Sequence, residues 1–141
     1  MITMNKIKIT LLAISISFIQ LLHAGELDMS DLGNKFAVCS TKSLLLGVVL
    51  KSDEEYSKGL LERASEWRVI SVMSFMAEGM NQEDAVDAYN KTSGTTAVNS
   101  SIKEVINDKP QLIKRSEKLI YEISENCLPY DGYVEQMKNM K

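Results

Sequence analysis

The sequence is poor in the side chains that enzymes most often use for proton transfer and metal binding. It contains one histidine, His23, and two cysteines, Cys39 and Cys127. His23 lies at the end of an N-terminal segment that we expect to be removed, so the mature chain would contain no imidazole. That absence excludes nucleophiles activated by histidine and removes the commonest zinc ligand.

Cofactor-binding motifs are absent as well. The sequence contains no glycine-rich phosphate loop, no dinucleotide-binding pattern and no calcium-loop spacing. We therefore predict no cofactor and no metal. Paired carboxylates are the remaining enzymatic option, and the candidates are Glu62 with Glu66 and Asp84 with Asp87. Because their spacing fits a solvated helix face with ion pairs better, we predict that the protein is not an enzyme.

The N-terminal segment has the pattern of a secretory signal peptide. Two lysines precede a largely apolar run from Ile9 to Leu22, and the small residue Ala24 follows. A helix of that apolar length rises only about 21 Å, which is short of the roughly 30 Å hydrocarbon core of a bilayer. We predict a cleaved signal peptide over 1–24, with an uncleaved anchor as the alternative.

Export would place a single domain, residues 25–141, in the periplasm or outside the cell. In an oxidising compartment Cys39 and Cys127 are most simply joined in one structural disulfide, which would stabilise the fold by roughly 4–5 kcal/mol. The chain is acidic, with 16 basic and 19 acidic residues. Nucleic acids are bound mainly through Lys and Arg, so we expect no nucleic-acid partner. We also expect no stable membrane insertion after cleavage.

Apolar residues recur at helical spacing along the mature chain, which predicts an all-α fold. The expected helices span 30–50, 53–78, 81–107 and 110–127. Small and β-branched residues interrupt the third segment, so a break or kink is expected near Gly94. Short connections favour antiparallel neighbours, and we predict an antiparallel four-helix bundle whose disulfide links the first and last helices.

Several residues mark helix ends. Ser52 with Glu55 has the pattern of a capping box at the start of helix 2, and Gly79 is a natural C-terminal stop. Residues 81–84, Asn-Gln-Glu-Asp, have the pattern of a cap for the third helix. Residues 107–110, Asn-Asp-Lys-Pro, are a start signal for the fourth, because proline is favoured in the first turn.

Two groups of residues are candidates for partner contact. Met73, Met76 and Met80 form a soft apolar patch near the end of helix 2, and methionine adapts to varied partners. Tyr130 and Tyr133 lie on a turn after the last helix, where exposed aromatic residues often contact a partner. The structural alternatives are that the methionines fill the core and that the turn folds back over the bundle end.

A basic cluster opens helix 4. It consists of Lys109, Lys114, Arg115 and Lys118. A solvated face explains these residues more simply than an acidic partner does.

The predicted architecture is similar to that of small periplasmic immunity or inhibitor proteins, which are exported helical domains with a disulfide. No residue role follows from that resemblance. With no histidine, free thiol or cofactor loop, the sequence favours a non-enzymatic protein that binds another envelope or secreted protein. The alternative is a carrier of a small ligand or lipid, with an apolar cavity between helices near Trp67 and the methionines.

Overall fold

The computed structural model describes residues 28–132, and within this range the chain is helical with no strand. The helices are α1 (Met29–Val49), α2 (Glu54–Ala77), α3 (Gln82–Ser100), the single turn α4 (Ile102–Val105) and α5 (Lys109–Asn126). A 3-10 turn, Leu128–Tyr130, follows α5. The predicted all-α class is confirmed, whereas the predicted signal peptide lies outside the described residues. No helix between residues 28 and 132 combines the length and apolarity needed to cross a membrane.

Acidic and amide side chains begin the four long helices. Asp28, Asp53, Asn81 and Asp108 each accept a hydrogen bond from the backbone N–H three residues further on. These bonds satisfy N–H groups that the helix itself leaves unpaired. The predicted starts of the third and fourth helical segments, at 81–84 and 107–110, are confirmed, with Asn81 and Asp108 as the N-caps. The capping box at Ser52 is wrong by one position, because the Asp53 carboxylate caps α2 instead.

The third helical segment is interrupted later than predicted. α3 continues through Gly94 to Ser100, so the expected break near Gly94 is wrong. The hydroxyls of Thr95 and Thr96 donate to carbonyls one turn earlier, an arrangement found in threonines inside helices. The chain leaves the helix at Ser101, whose φ of 54° lies in the left-handed region, and this residue separates α3 from α4.

α1 is the central helix, since it packs against α2, α3 and α5. Large side chains from four helices form the apolar core around it. They include Phe36 and Leu46 from α1, Trp67 and Ile70 from α2, Ile102 from α4, and Leu119 and Ile123 from α5. Tyr89 of α3 is also buried, and its hydroxyl lies 2.9 Å from the hydroxyl of Ser40.

Small residues spaced seven apart form the contact between α1 and α2. They are Gly33, Ser40 and Gly47 on α1, and Ser57, Ala64 and Ser71 on α2. In each of the pairs 33–71, 40–64 and 47–57, a serine hydroxyl donates to a carbonyl of the opposite helix over 2.6 Å. The order of the pairs along α1 is the reverse of their order along α2. We call these six residues the small-residue seam.

Close approach of the two helices depends on glycine at two positions of the seam. A Cβ atom on Gly33 would lie 2.8 Å from the ring of Phe75, and one on Gly47 would lie 3.0 Å from a methyl group of Leu61. Both distances are shorter than ordinary van der Waals contact. The seam therefore uses glycine for space, not for an unusual backbone conformation.

A disulfide joins Cys39, midway along α1, to Cys127 at the end of α5, with the two Cα atoms 5.7 Å apart. Both cysteines are buried. The bridge links the first and last long helices, as predicted. Disulfides persist mainly in oxidising compartments, so the pairing fits an exported protein, while export itself stays a prediction.

Candidate binding groove

A groove of about 570 Å³ lies over α1, between α2 and α5. Ser43 and Leu46 of α1 and Trp67 of α2 line it and are almost completely buried. More exposed apolar residues also line it, from α2, α5 and the 3-10 turn: Tyr56, Leu60, Ile120 and Leu128. The groove is therefore an apolar depression that widens from a buried base to an exposed edge.

Two polar atoms at the buried base have no hydrogen-bond partner among the described residues. They are the Trp67 Nε1 donor and the Ser43 hydroxyl. A buried indole N–H in a folded protein usually has a partner, and leaving such a group unpaired costs about 1–3 kcal/mol. Both atoms are enclosed, so a ligand with a carbonyl or similar acceptor would relieve that cost at the indole only after displacing the side chains that cover it.

The edge of the groove is acidic. Asp53, Glu55 and Asp131 line it, together with one cation, Arg63. The Arg63 guanidinium is already engaged, 3.2 Å from a carboxylate oxygen of Glu66 and 3.6 Å from one of Asp131. It also lies 6.0 Å from the centroid of a Trp67 ring. Because its positive charge is neutralised locally, the groove favours cationic or neutral ligands over anionic ones.

The predicted methionine patch lies away from this groove. Met73, Met76 and Met80 are half-buried, and Met73 packs against the apolar core. None of the three lines the groove. The groove thus includes Trp67, where the sequence suggested a cavity, but the methionines that were expected beside it do not contribute.

The predicted contact turn folds back onto α1. The Tyr130 ring packs edge-on against Phe36, with 5.5 Å between centroids, and its hydroxyl accepts a hydrogen bond from Lys35 Nζ over 3.3 Å. Asp131 next to it pairs with Arg63. These contacts match the structural alternative for Tyr130. Tyr133 lies outside the described residues.

The four candidate acid–base carboxylates do not line the groove. Glu62 lies 4.0 Å from Lys58, Glu66 pairs with Arg63, and an oxygen of Asp84 accepts a hydrogen bond from a capping amide. Asp87 is exposed on α3. Among residues 28–132 no three potential ligand side chains are grouped so that they could hold a metal ion.

Of the residues that line the groove, only Trp67 was associated with a cavity from the sequence. Ser43 lies at a buried position of α1, and a hydroxyl there was the available signal. Ile120 has the apolar character of a core residue, yet 42% of its surface is exposed. Nothing in the spacing of apolar residues tells a core-facing isoleucine from one at the edge of a groove.

Comparison with protein-family models, with curated proteins and with solved structures finds no match for this chain. The candidate site therefore rests on its own geometry and chemistry.

Proposed function

We propose that this protein is a non-enzymatic binding protein whose groove between α2 and α5 takes a segment of another envelope or secreted protein. The observation that carries the proposal is a groove with an exposed apolar edge and two unpaired polar atoms at its base. By holding that segment, the protein would act on its partner as an inhibitor, an immunity protein or a regulator.

The lining determines the chemistry of the partner segment. An apolar side chain would insert among Tyr56, Ile120 and Leu128, because burying that exposed apolar surface stabilises a complex. A backbone carbonyl of the segment would accept from Trp67 Nε1. Lysine or arginine residues beside the apolar side chain would face the acidic edge, which makes electrostatic complementarity part of the selection. The proposed occupant is thus a basic, apolar protein segment.

A pair of model peptides tests this chemistry. One combines leucine with lysine, and the other replaces each lysine with glutamate. Trp67 is the only tryptophan of the chain, so its fluorescence reports directly on the groove. We expect saturable binding of the lysine peptide and at least about tenfold weaker binding of the glutamate peptide, a difference of about 1.4 kcal/mol. Equal binding of the two peptides would contradict the proposal.

A matched pair of variants locates the binding. Ile120→Ser removes an apolar side chain from the groove edge. Val98→Ser removes one from α3, where Val98 is 76% exposed and does not line the groove. The first change should weaken binding of the lysine peptide at least about tenfold, because it removes apolar surface that the peptide would bury and puts a hydroxyl in its place. The second should leave binding unchanged, and equal losses would place the peptide elsewhere.

A small-ligand or lipid carrier is the second candidate. The volume of about 570 Å³ favours it, since drug-sized ligands occupy pockets of roughly 300–1,000 Å³. The unpaired Trp67 and Ser43 atoms would orient such a ligand equally well. Native mass spectrometry of gently extracted protein separates the two functions. A retained small molecule or lipid would favour the carrier over the protein partner.

We further propose that the chain is exported after cleavage of residues 1–24 and acts in the periplasm or outside the cell as an antiparallel four-helix bundle. The buried disulfide and the reversed order of contacts in the small-residue seam support this. N-terminal sequencing of the secreted protein tests the export step. A mature protein that starts near Gly25 is expected, and an intact N-terminus would contradict cleavage.

A further inference from the structure

A second recess, of about 340 Å³, lies between α1, α3 and α5. Lys42 of α1 and Arg115 and Lys118 of α5 line it, and Glu122 is its only carboxylate. We call this the basic recess. Of the basic cluster recognised in the sequence, Arg115 and Lys118 line the recess, whereas Lys109 and Lys114 do not.

The charges in the basic recess are not balanced. One oxygen of Glu122 lies 3.0 Å from Lys42 Nζ, and the other lies 3.7 Å from Lys118 Nζ. One carboxylate is thus shared by two ammonium groups. Arg115 forms no ion pair with any residue in the described part of the chain. Two positive charges therefore remain uncompensated in a protein whose net charge is −3.

The wall formed by α3 is uncharged and polar. Thr96 and Ser100 donate their hydroxyl hydrogens to carbonyls of their own helix. Their oxygens consequently remain available as acceptors, and hydroxyl groups of a ligand could donate to them. The amide of Asn99, on the same wall, can both donate and accept.

We propose that the basic recess binds a phosphate monoester carried on a sugar or another polyol. A phosphate monoester carries a charge of about −1.5 to −2 near neutral pH, which matches the two uncompensated cations. The Arg115 guanidinium supplies a planar fork of donors suited to two phosphate oxygens. The polyol hydroxyls lie against Thr96 and Ser100. This site is separate from the groove and does not depend on the function proposed there.

Isothermal titration of the full chain tests the ligand class, with glucose 6-phosphate as the probe. Saturable binding is expected, at least about tenfold tighter than that of inorganic phosphate or of glucose alone. Vesicles with a phosphatidylinositol 4-phosphate headgroup test whether the same chemistry comes from a lipid. Tighter binding to the vesicles identifies a lipid headgroup as the source, and tighter binding to glucose 6-phosphate identifies a free sugar phosphate. Binding of neither overturns the proposal.

Charge variants distinguish binding in the basic recess from nonspecific electrostatic attraction to the protein surface. Arg115→Gln should weaken binding by at least about tenfold, for whichever of the probes binds, since it removes charge-assisted hydrogen bonds. Lys58→Gln removes the same charge from α2, where the lysine side chain is 78% exposed, and should change affinity less than twofold. Glu122→Gln should strengthen binding, because it frees two lysines. Equal losses for the arginine and lysine variants would mean diffuse attraction and would overturn the proposal.

Discussion

The faces that α2 turns toward α1 and toward α5 differ in residue size and in hydrogen bonding. Toward α1 it presents small residues, and the hydroxyls of Ser57 and Ser71 donate to carbonyls of α1 over 2.6 Å. Toward α5 it presents Tyr56 and Trp67, and the Trp67 indole N–H has no partner among the described residues. The first contact is satisfied within the chain, whereas the second leaves apolar side chains such as Tyr56 exposed.

Removal of the disulfide should have the largest effect on stability, and the effect should fall mainly on the packing of α5. It joins cysteines separated by 88 residues, for which the chain-entropy model gives about 4–5 kcal/mol. The small-residue seam does not include either cysteine. We expect the double variant Cys39→Ala/Cys127→Ala to lose most of that free energy of unfolding in a urea titration.

Hydrogen exchange of the same variant shows where the loss falls. Amide protection should decrease in α5 more than at the seam positions of α1 and α2, because the bridge links α5, and not α2, to α1. A uniform decrease along all three helices would contradict the distinction between the two sides.

A methyl group at Gly33 tests how closely the seam is packed. Gly33→Ala places a Cβ atom 2.8 Å from the ring of Phe75, and overpacking of this kind costs about 1–3 kcal/mol. The better helix propensity of alanine offsets part of it, so a net loss of about 1–2 kcal/mol is expected. Gly94→Ala is the control, since a Cβ there meets nothing within 4 Å. It should gain about 0.5–1 kcal/mol, and a gain at both positions would contradict close packing of the seam.

Substitution of two buried serines should give the smallest change in stability, but the two positions are the most closely matched. Ser71 and Ser43 are both fully buried helical residues. The Ser71 hydroxyl donates a hydrogen bond to the Gly33 carbonyl across the seam, whereas the Ser43 hydroxyl has no partner within residues 28–132. Ser71→Ala should therefore lose about 1 kcal/mol of unfolding free energy, and Ser43→Ala should be neutral or stabilising. Equal losses in urea titrations would show that the hydroxyl at the groove is satisfied after all.

The helices and the disulfide could be predicted because both follow from local signals. Apolar spacing marks helix faces, the cap at 81–84 and the proline of 107–110 mark starts, and two cysteines allow only one pairing. The seam was missed because apolar stripes draw attention to large residues. Gly33 and Gly47 show no apolar signal of their own, although the spacing of seven between small residues was present.

The groove could be predicted only in part. Trp67, beside which the sequence-based interpretation placed an apolar cavity, lines the groove, whereas Met73, Met76 and Met80 do not. Whether a cavity forms depends on how far apart α2 and α5 are held, and this distance is set by their separate packing on α1. The late break at Ser101 is a similar case, since no local signal marks this residue, instead of Gly94, as the one that leaves the helix.

The Trp67 indole N–H tests the central claim most directly. As the only tryptophan, Trp67 contributes a single indole resonance to the nitrogen–proton spectrum of ¹⁵N-labelled full chain. Titration with the lysine–leucine peptide should move this proton downfield, as formation of a hydrogen bond does, with the change saturating in parallel with binding. A peptide that binds while the indole resonance stays in place would contradict the assignment of the groove as the binding site.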